Sequence, residues 1–132
     1  MVAIRVRILL DTHTVLWWVT NDPSLSSRAR TNIARSEEVI VSAASAWEMA
    51  IKVSLGRLSS AIDLVNDFES ALARDGFQAL VITPAHGLRA GSLPGPHKDP
   101  FDRMLIAQAQ AENLAIVSND TVFDHYGVRR VW

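Results

Sequence analysis

The sequence predicts an α/β protein: a three-layer α/β/α sandwich around a central, mostly parallel sheet of about five strands. Three observations carry that prediction. Short apolar runs alternate with stretches of helical spacing, a pattern that places helices on both faces of a mostly parallel sheet. The chain has 132 residues, 48% of them hydrophobic, which suits one domain over residues 1–132 with a core of its own. It has no cysteine, so packing rather than disulfides must hold the fold.

The elements follow in order. Residues 6–10 read as a buried strand, apolar and β-rich at its end, and Asp11 follows directly. Residues 12–19 look helical, with Val15, Leu16, Trp18 and Val19 on the apolar side, until Asn21-Asp22-Pro23 breaks the run. A second helix spans 24–36, with Ala29, Ile33 and Ala34 as candidate buried positions. Residues 39–41 form a short strand. Ser45 and Glu48 have the spacing of a capping box, predicting a helix over 45–55 that stops at Gly56. Ile62, Val65, Phe68 and Leu72 predict one helix over 61–74. Asp75-Gly76 is a turn, 77–82 a strand, and Thr83-Pro84 opens a short helix before a Gly/Pro-rich loop over 92–96. Asp99-Pro100-Phe101-Asp102 is a strong helix start: Asp caps, Pro suits the first position, and Asp102 meets the positive dipole end. That helix runs to Ala111. Residues 114–117 are a strand ending in Ser118-Asn119-Asp120, and 128–131 a short edge strand.

Bulk composition excludes some functions and recommends none. The longest apolar run, Val15-Leu16-Trp17-Trp18-Val19, is far below the ~18 residues of a membrane helix. The apolar N-terminal stretch carries two arginines and ends at Asp11, unlike a secretory leader. The absence of cysteine excludes thiolate zinc sites and cysteine nucleophiles and fits a reducing cytoplasmic setting. Net charge is −1, so any affinity for nucleic acid must come from local sites rather than bulk charge.

Four carboxylates carry the chemistry. Asp11 and Asp120 follow strands, and Asp102 and Glu48 belong to the first turns of helices flanking strands. All four can converge on the carboxyl edge of the sheet, where α/β proteins place ligands. Singly, each has a plain structural role. Asp102 suits its helix dipole, Glu48 pairs with Lys52 at i+4, and Asp120 can cap the next short helix. Asp11 is least easily explained so, because a charge directly after a buried strand needs a partner. Gathered carboxylates repel, raise one another's pKa and attract a divalent cation. An oxygen-only set favours Mg²⁺ or Mn²⁺ over zinc. Such ions support in-line phosphodiester cleavage.

The sequence resembles the PIN-domain ribonucleases, specifically the VapC-type toxins of toxin–antitoxin pairs. The resemblance runs through Ile8-Leu9-Leu10-Asp11-Thr12-His13, Ser45-Ala46-Trp47-Glu48-Met49-Ala50-Ile51-Lys52, His97-Lys98-Asp99-Pro100-Phe101-Asp102-Arg103 and Val117-Ser118-Asn119-Asp120, in order over nearly the whole chain. It implies a PIN-like fold and Mg²⁺- or Mn²⁺-dependent endonucleolytic cleavage of RNA that inhibits translation and growth. Asp11, Glu48, Asp102 and Asp120 match the four acidic positions: Asp11 and Asp102 as direct metal ligands, Glu48 and Asp120 completing the site directly or through water. Asp99 is also acidic, but its place before Pro100 suits a cap. The resemblance further implies a VapB-like antitoxin occupying the acidic site, with its C-terminal segment in a groove of the early helices. It implies a homodimer, alone or within a larger complex, as well.

Other residues lie near the acids. Thr12, Thr14, Ser118 and Asn119 offer hydroxyl or amide groups to a metal or phosphate, or bond to local backbone. His13, His97, Lys98 and Arg103 offer contacts to RNA phosphates, and His97 a proton-transfer group; exposed surface roles suit them equally. Arg28, Arg30 and Arg35 form a basic side of the second helix, and His86 and His125 have no evident partner. Trp17, Trp18 and Trp47 suit base stacking, but their helical spacing favours core or interface. Two rival functions stay open. One is phosphotransfer with Asp11 as nucleophile, although His13 stands where such phosphatases carry a second Asp. The other is a PIN-like binding module that holds RNA or protein without cutting.

Overall fold

The computed structural model describes residues 6–95 and 97–132. The leader reading falls partly on residues 1–5, and the Gly/Pro loop ends at Pro96; these positions lie outside the described residues. Strands β1 (Arg7–Leu10), β2 (Glu38–Ser42), β3 (Gln78–Leu80), β4 (Ala115–Val117) and β5 (Arg130–Val131) form one sheet in the order β3-β2-β1-β4-β5. Every pairing is parallel. The connecting helices are α1 (Thr12–Val19), α2 (Ser27–Arg35), α3 (Ala43–Ser54), α4 (Ile62–Asn66), α5 (Phe68–Arg74), α6 (Pro84–Ser92) and α7 (Pro100–Glu112).

Successive strand residues point to opposite faces, so each central strand feeds two cores. Ile8, Leu10, Val39, Val41, Ala115 and Val117 pack with Val15, Leu16, Ile33, Met49, Leu64 and Leu72. Leu9, Ile40 and Ile116 pack on the other side with Leu105, Ile106 and Phe123. Burying each of these branched or aromatic side chains contributes about 1.5–3 kcal/mol. The result is the expected three layers. No helix among the described residues is long and apolar enough to cross a membrane.

The strand order fixes where a site can form. From β1 the chain steps to β2 and β3 on one side, then returns to lay β4 and β5 on the other. The connections leaving β1 and β4 therefore diverge, opening a crevice at their carboxyl ends. Asp11 and Ser118 stand at its two lips. They are tied across by the Asp11 amide bonding to the Val117 carbonyl at 3.1 Å.

Several element boundaries differ from the sequence expectation. Helix α3 begins at Ala43, because the Ser42 hydroxyl closing β2 already accepts the Ala44 amide at 3.0 Å. Ser45 and Glu48 are therefore not a capping box, and Glu48 lies in the second turn rather than the first. Helix α2 starts after Ser26, whose hydroxyl caps Ala29, and Ala34 is exposed rather than buried. The helix predicted over 61–74 is a 3-10 turn, Ser59–Ala61, and two short helices broken where Asp67 leaves the helical region (φ −137°, ψ 36°). Leu64 and Leu72 still reach one core across the break, which is why the apolar spacing hides it. The strand predicted over 77–82 shortens to Gln78–Leu80, since an edge strand has β2 as its one neighbour.

Candidate functional site at the carboxyl edge of the sheet

Asp11 is buried at the N-cap of α1, directly after β1. One carboxylate oxygen accepts the Thr12 amide at 2.7 Å and the other the Ser118 hydroxyl, also at 2.7 Å. Burial raises its pKa above the ordinary carboxylate value. The Ser118 and Thr12 bonds and the His13 charge oppose that rise, and the Glu48 charge adds to it. Asp102, in the first turn of α7, is pushed up to about 6. Burial is the largest cause, countered by the His97 bond and reinforced by the charges of Asp11 and Asp99. Mutual repulsion thus links Glu48, Asp11 and Asp102, which come from three separate segments.

Glu48 is held on both oxygens. The Thr12 hydroxyl donates to Oε1 at 2.6 Å, and Lys52 Nζ sits 2.7 Å from Oε2, the i+4 pair read from the sequence. Ser45, one turn before Glu48 on the same face of α3, places its hydroxyl 3.0 Å from that of Thr12. Thr12, Ser45, Glu48 and Lys52 therefore form one chain of polar contacts beside Asp11. The sequence reading took Ser45 for a cap; its i, i+3 relation to Glu48 is the signal that pointed to a shared face instead.

Asp120 stands one step away. It is exposed, caps the following 3-10 turn (Thr121–Tyr126) by accepting the Val122 amide at 3.0 Å, and donates its own amide to Ser118 Oγ at 3.0 Å. Ser118 so bridges Asp11 and Asp120. Asp99 is occupied as the cap of α7, with Oδ1 accepting the amides of Phe101 and Asp102 at 2.9 and 3.1 Å.

The neighbouring polar residues divide by what they bind. His97 Nε2 lies 2.9 Å from Asp102 Oδ2. Arg103 is spent on backbone: it donates to the carbonyls of Ala90 at 3.1 Å, His97 at 3.0 Å and Leu93, pinning the α6–α7 loop. Thr14 donates to the Val117 carbonyl at 2.8 Å, locking α1 to β4. Lys98, Asn119 and His125 are exposed. His86 has the partners the sequence did not reveal. It is buried, caps α6 reciprocally with Thr83, and reaches Glu112 of α7 at 2.9 Å. Arg28 and Arg35 are exposed on α2, whereas Arg30 lies over the Trp18 ring, 6.0 Å from its centroid. Trp17 is half-buried against His13 and Trp132, and Trp18 against Phe77. Of the core-or-interface reading, Trp47 leaves the core half: it is 59% exposed, with Phe101 as its edge-on neighbour at 5.0 Å.

The donor chemistry suits a hard divalent cation. The acids offer oxygen donors, each carboxylate keeps lone pairs beyond the bonds it accepts, and Asp11 and Asp102 are raised in pKa chiefly by burial, with the charges of neighbouring carboxylates adding to it. Among the described residues, no three His, Cys, Asp or Glu side chains are gathered into a ready-made cage. Mg²⁺ commonly takes one or two carboxylates together with water and substrate oxygens rather than an all-protein shell.

Comparison with known proteins agrees with this fold. The PIN domain family model matches residues 8–128. Ribonuclease VapC22 of Mycobacterium tuberculosis is 29% identical over 114 residues, covering 86% of each chain. Among solved structures, VapBC2 of Rickettsia felis bound to a promoter DNA fragment superposes with a TM-score of 0.66 at 14% identity, over 95% of this chain and 98% of that one. DNA-bound VapBC of Salmonella typhimurium does so at 0.59 and 20% identity, over 95% and 96%. A toxin–antitoxin complex from Klebsiella pneumoniae does so at 0.56 and 18%, over 87% and 88%.

Proposed function

The chain belongs to the PIN domain family, and from that premise we propose that it is a metal-dependent endoribonuclease, the toxin of a toxin–antitoxin pair. One observation carries the reading: buried Asp11 at the crevice between β1 and β4 feels the charge of Glu48, and buried Asp102 feels that of Asp11, in a chain similar to a ribonuclease relative. Asp11 and Asp102 would hold Mg²⁺ or Mn²⁺, with Glu48 and Asp120 joining directly or through water. When bound, such an ion polarises the scissile phosphate and makes water a stronger nucleophile at neutral pH.

The chain's own residues prepare that site. The Thr12 amide and Ser118 hydroxyl fix both oxygens of Asp11, so the carboxylate is oriented before any ion arrives. Lys52 and Thr12 do the same for Glu48, and Lys52 offsets part of the local negative charge. His97 steadies Asp102. Lys98, exposed and next to His97 in the chain, offers a cation to the RNA backbone. Inhibition of translation and growth follows from RNA cleavage. The similar structures of toxin–antitoxin complexes favour a VapB-like antitoxin as partner; that it occupies the acidic crevice and that the toxin works as a homodimer belong to the same proposal.

The deciding experiment incubates purified, antitoxin-free protein with total cellular RNA in Mg²⁺, Mn²⁺ or EDTA, beside an Asp11→Asn control. Discrete fragments that require metal and vanish in the control are expected. Cleavage that persists in the control, or no cleavage by folded protein in either metal, overturns the proposal.

A further inference from the structure

The acidic crevice has a cation of its own. Glu48 and Lys52 lie one turn apart on the same face of α3, and Lys52 Nζ sits 2.7 Å from Glu48 Oε2. The other oxygen, Oε1, accepts the Thr12 hydroxyl at 2.6 Å, so both oxygens of Glu48 are engaged. Among the described residues, Lys52 is the only lysine or arginine paired with any of the four acids; Arg7, Arg74 and Arg130 pair with Glu38, Asp67 and Asp124. An ammonium has three N–H donors, and among the described residues that of Lys52 bonds Glu48 alone. The Glu48 side chain is 7% exposed, but that of Lys52 is 34% exposed, which leaves two donors for a ligand arriving from solvent. Asp11 and Asp102 have no such partner. Asp11 accepts from an amide and a hydroxyl, and Asp102 has the His97 ring. The crevice is therefore electrically uneven: Glu48 carries its counter-ion, whereas Asp11 and Asp102 lack a lysine or arginine.

We propose that Lys52 is the second cation of this site: its ammonium stays on Glu48, takes the place of a second divalent ion there, and gives its free donors to a phosphate oxygen of the RNA strand. This rests on the nuclease reading above. In a site with two metal ions the cations stand about 3.5–4 Å apart and divide the carboxylates between them. An ion arriving at Glu48 Oε2 has to displace an ammonium already at hydrogen-bond distance, and it meets that positive charge on the way in. Asp11 and Asp102 offer the opposite condition, since the charge of Asp11 adds to the burial that raises the pKa of Asp102, and a cation relieves both. One Mg²⁺ or Mn²⁺ therefore belongs with Asp11 and Asp102, and Glu48 joins it through water. The remaining task of a second ion is to meet phosphate charge. A lysine ammonium is a compact point charge on a flexible stem, suited to a single phosphate oxygen.

Two measurements test this, and neither depends on cleavage. The first counts bound Mn²⁺ by electron paramagnetic resonance in the antitoxin-free protein. The parent is expected to bind one Mn²⁺ that is lost in Asp11→Asn. Lys52→Gln should bind two, and Lys52→Arg, which keeps the charge, should bind one. The second follows the affinity for a short single-stranded oligoribonucleotide against salt concentration in EDTA, where no ion contributes. Lys52→Gln should lower the slope of log affinity against log salt by about 0.7, the loss of one phosphate contact, and Lys52→Arg should restore it. Two Mn²⁺ in the parent, both lost in Asp11→Asn, overturn the proposal without any change at Lys52. So does a folded Lys52→Gln protein that still binds one Mn²⁺, or one that keeps the parent's salt slope, which reduces Lys52 to a structural partner of Glu48. If the parent binds no Mn²⁺ that depends on Asp11, the metal-dependent reading fails first and the role of Lys52 with it.

Discussion

Asp102 shows at the level of one residue how a site is built at the expense of stability. Its folded pKa is about 6, against roughly 3.9 in an unfolded chain. Below about pH 4 both states hold the proton and the residue is neutral to folding. Between about 4 and 6 the folded state keeps a proton the unfolded state has lost. Above 6 the folded protein bears the full penalty of ionising a buried carboxylate, so this residue's contribution falls as pH rises from about 4 to about 6. Asp102→Asn should therefore stabilise the metal-free protein at pH 8 by about 1–2 kcal/mol, a discounted linkage value because the carboxylate keeps some contact with solvent. The gain should largely disappear near pH 4. Thermal melts of both proteins in EDTA across that range check the sign; an equal difference at pH 4 and pH 8 would rule this account out. The identity of Asp102 as a candidate was legible from its place after Asp99-Pro100. The size of its pKa shift was not, because that depends chiefly on burial in the assembled fold and secondarily on Asp11, ninety-one positions away in the chain.

Elements are positioned by a few polar ties as well as by packing. The α6–α7 loop carries His97 toward Asp102 and is held by Arg103, whose three carbonyl partners lie on Ala90, Leu93 and His97. A short side chain cannot make these bonds, so Arg103→Ala should destabilise the fold by about 2–4 kcal/mol, given ~1.5–3 kcal/mol for each charged hydrogen bond and incomplete additivity. Amide exchange at Leu93, Gly95 and His97 should quicken well beyond the global change. Unaltered exchange there would show that the loop holds itself. The caps of α6 and α7 were readable, since Thr83-Pro84 and Asp99-Pro100 act within one turn. The start of α3 misled because Ser42 and Ser45 both satisfy a cap's chemistry, and the end of β2 selects Ser42. Arg103 was read as an RNA contact or a surface charge, because the loop carbonyls it gathers have no signature in side-chain sequence.

At the scale of the whole molecule, the parallel order β3-β2-β1-β4-β5 brings the ends of β1 and β4 together at one crevice, where Asp11 and Asp102 are both raised in pKa chiefly by burial. A ligand that binds only the folded state stabilises it by mass action. Saturating Mg²⁺ or Mn²⁺ should raise the melting temperature, by about 2.7 kcal/mol of stability at one hundred times the dissociation constant. In Asp11→Asn the rise should be much smaller. An equal rise in both proteins would place the ion elsewhere. The sequence by itself determined the layers, most helices and strands, the identity of the acidic residues and the family resemblance. Those depend on spacing along the chain and on chemistry within one helical turn. Only the tertiary structure decided which acids face one another, that Ser118 and Thr12 orient them, that His86 joins α6 to α7, and that Trp47 is exposed. These depend on the distance between remote segments and on what each leaves uncovered, which are set once the sheet is assembled and its two faces are filled.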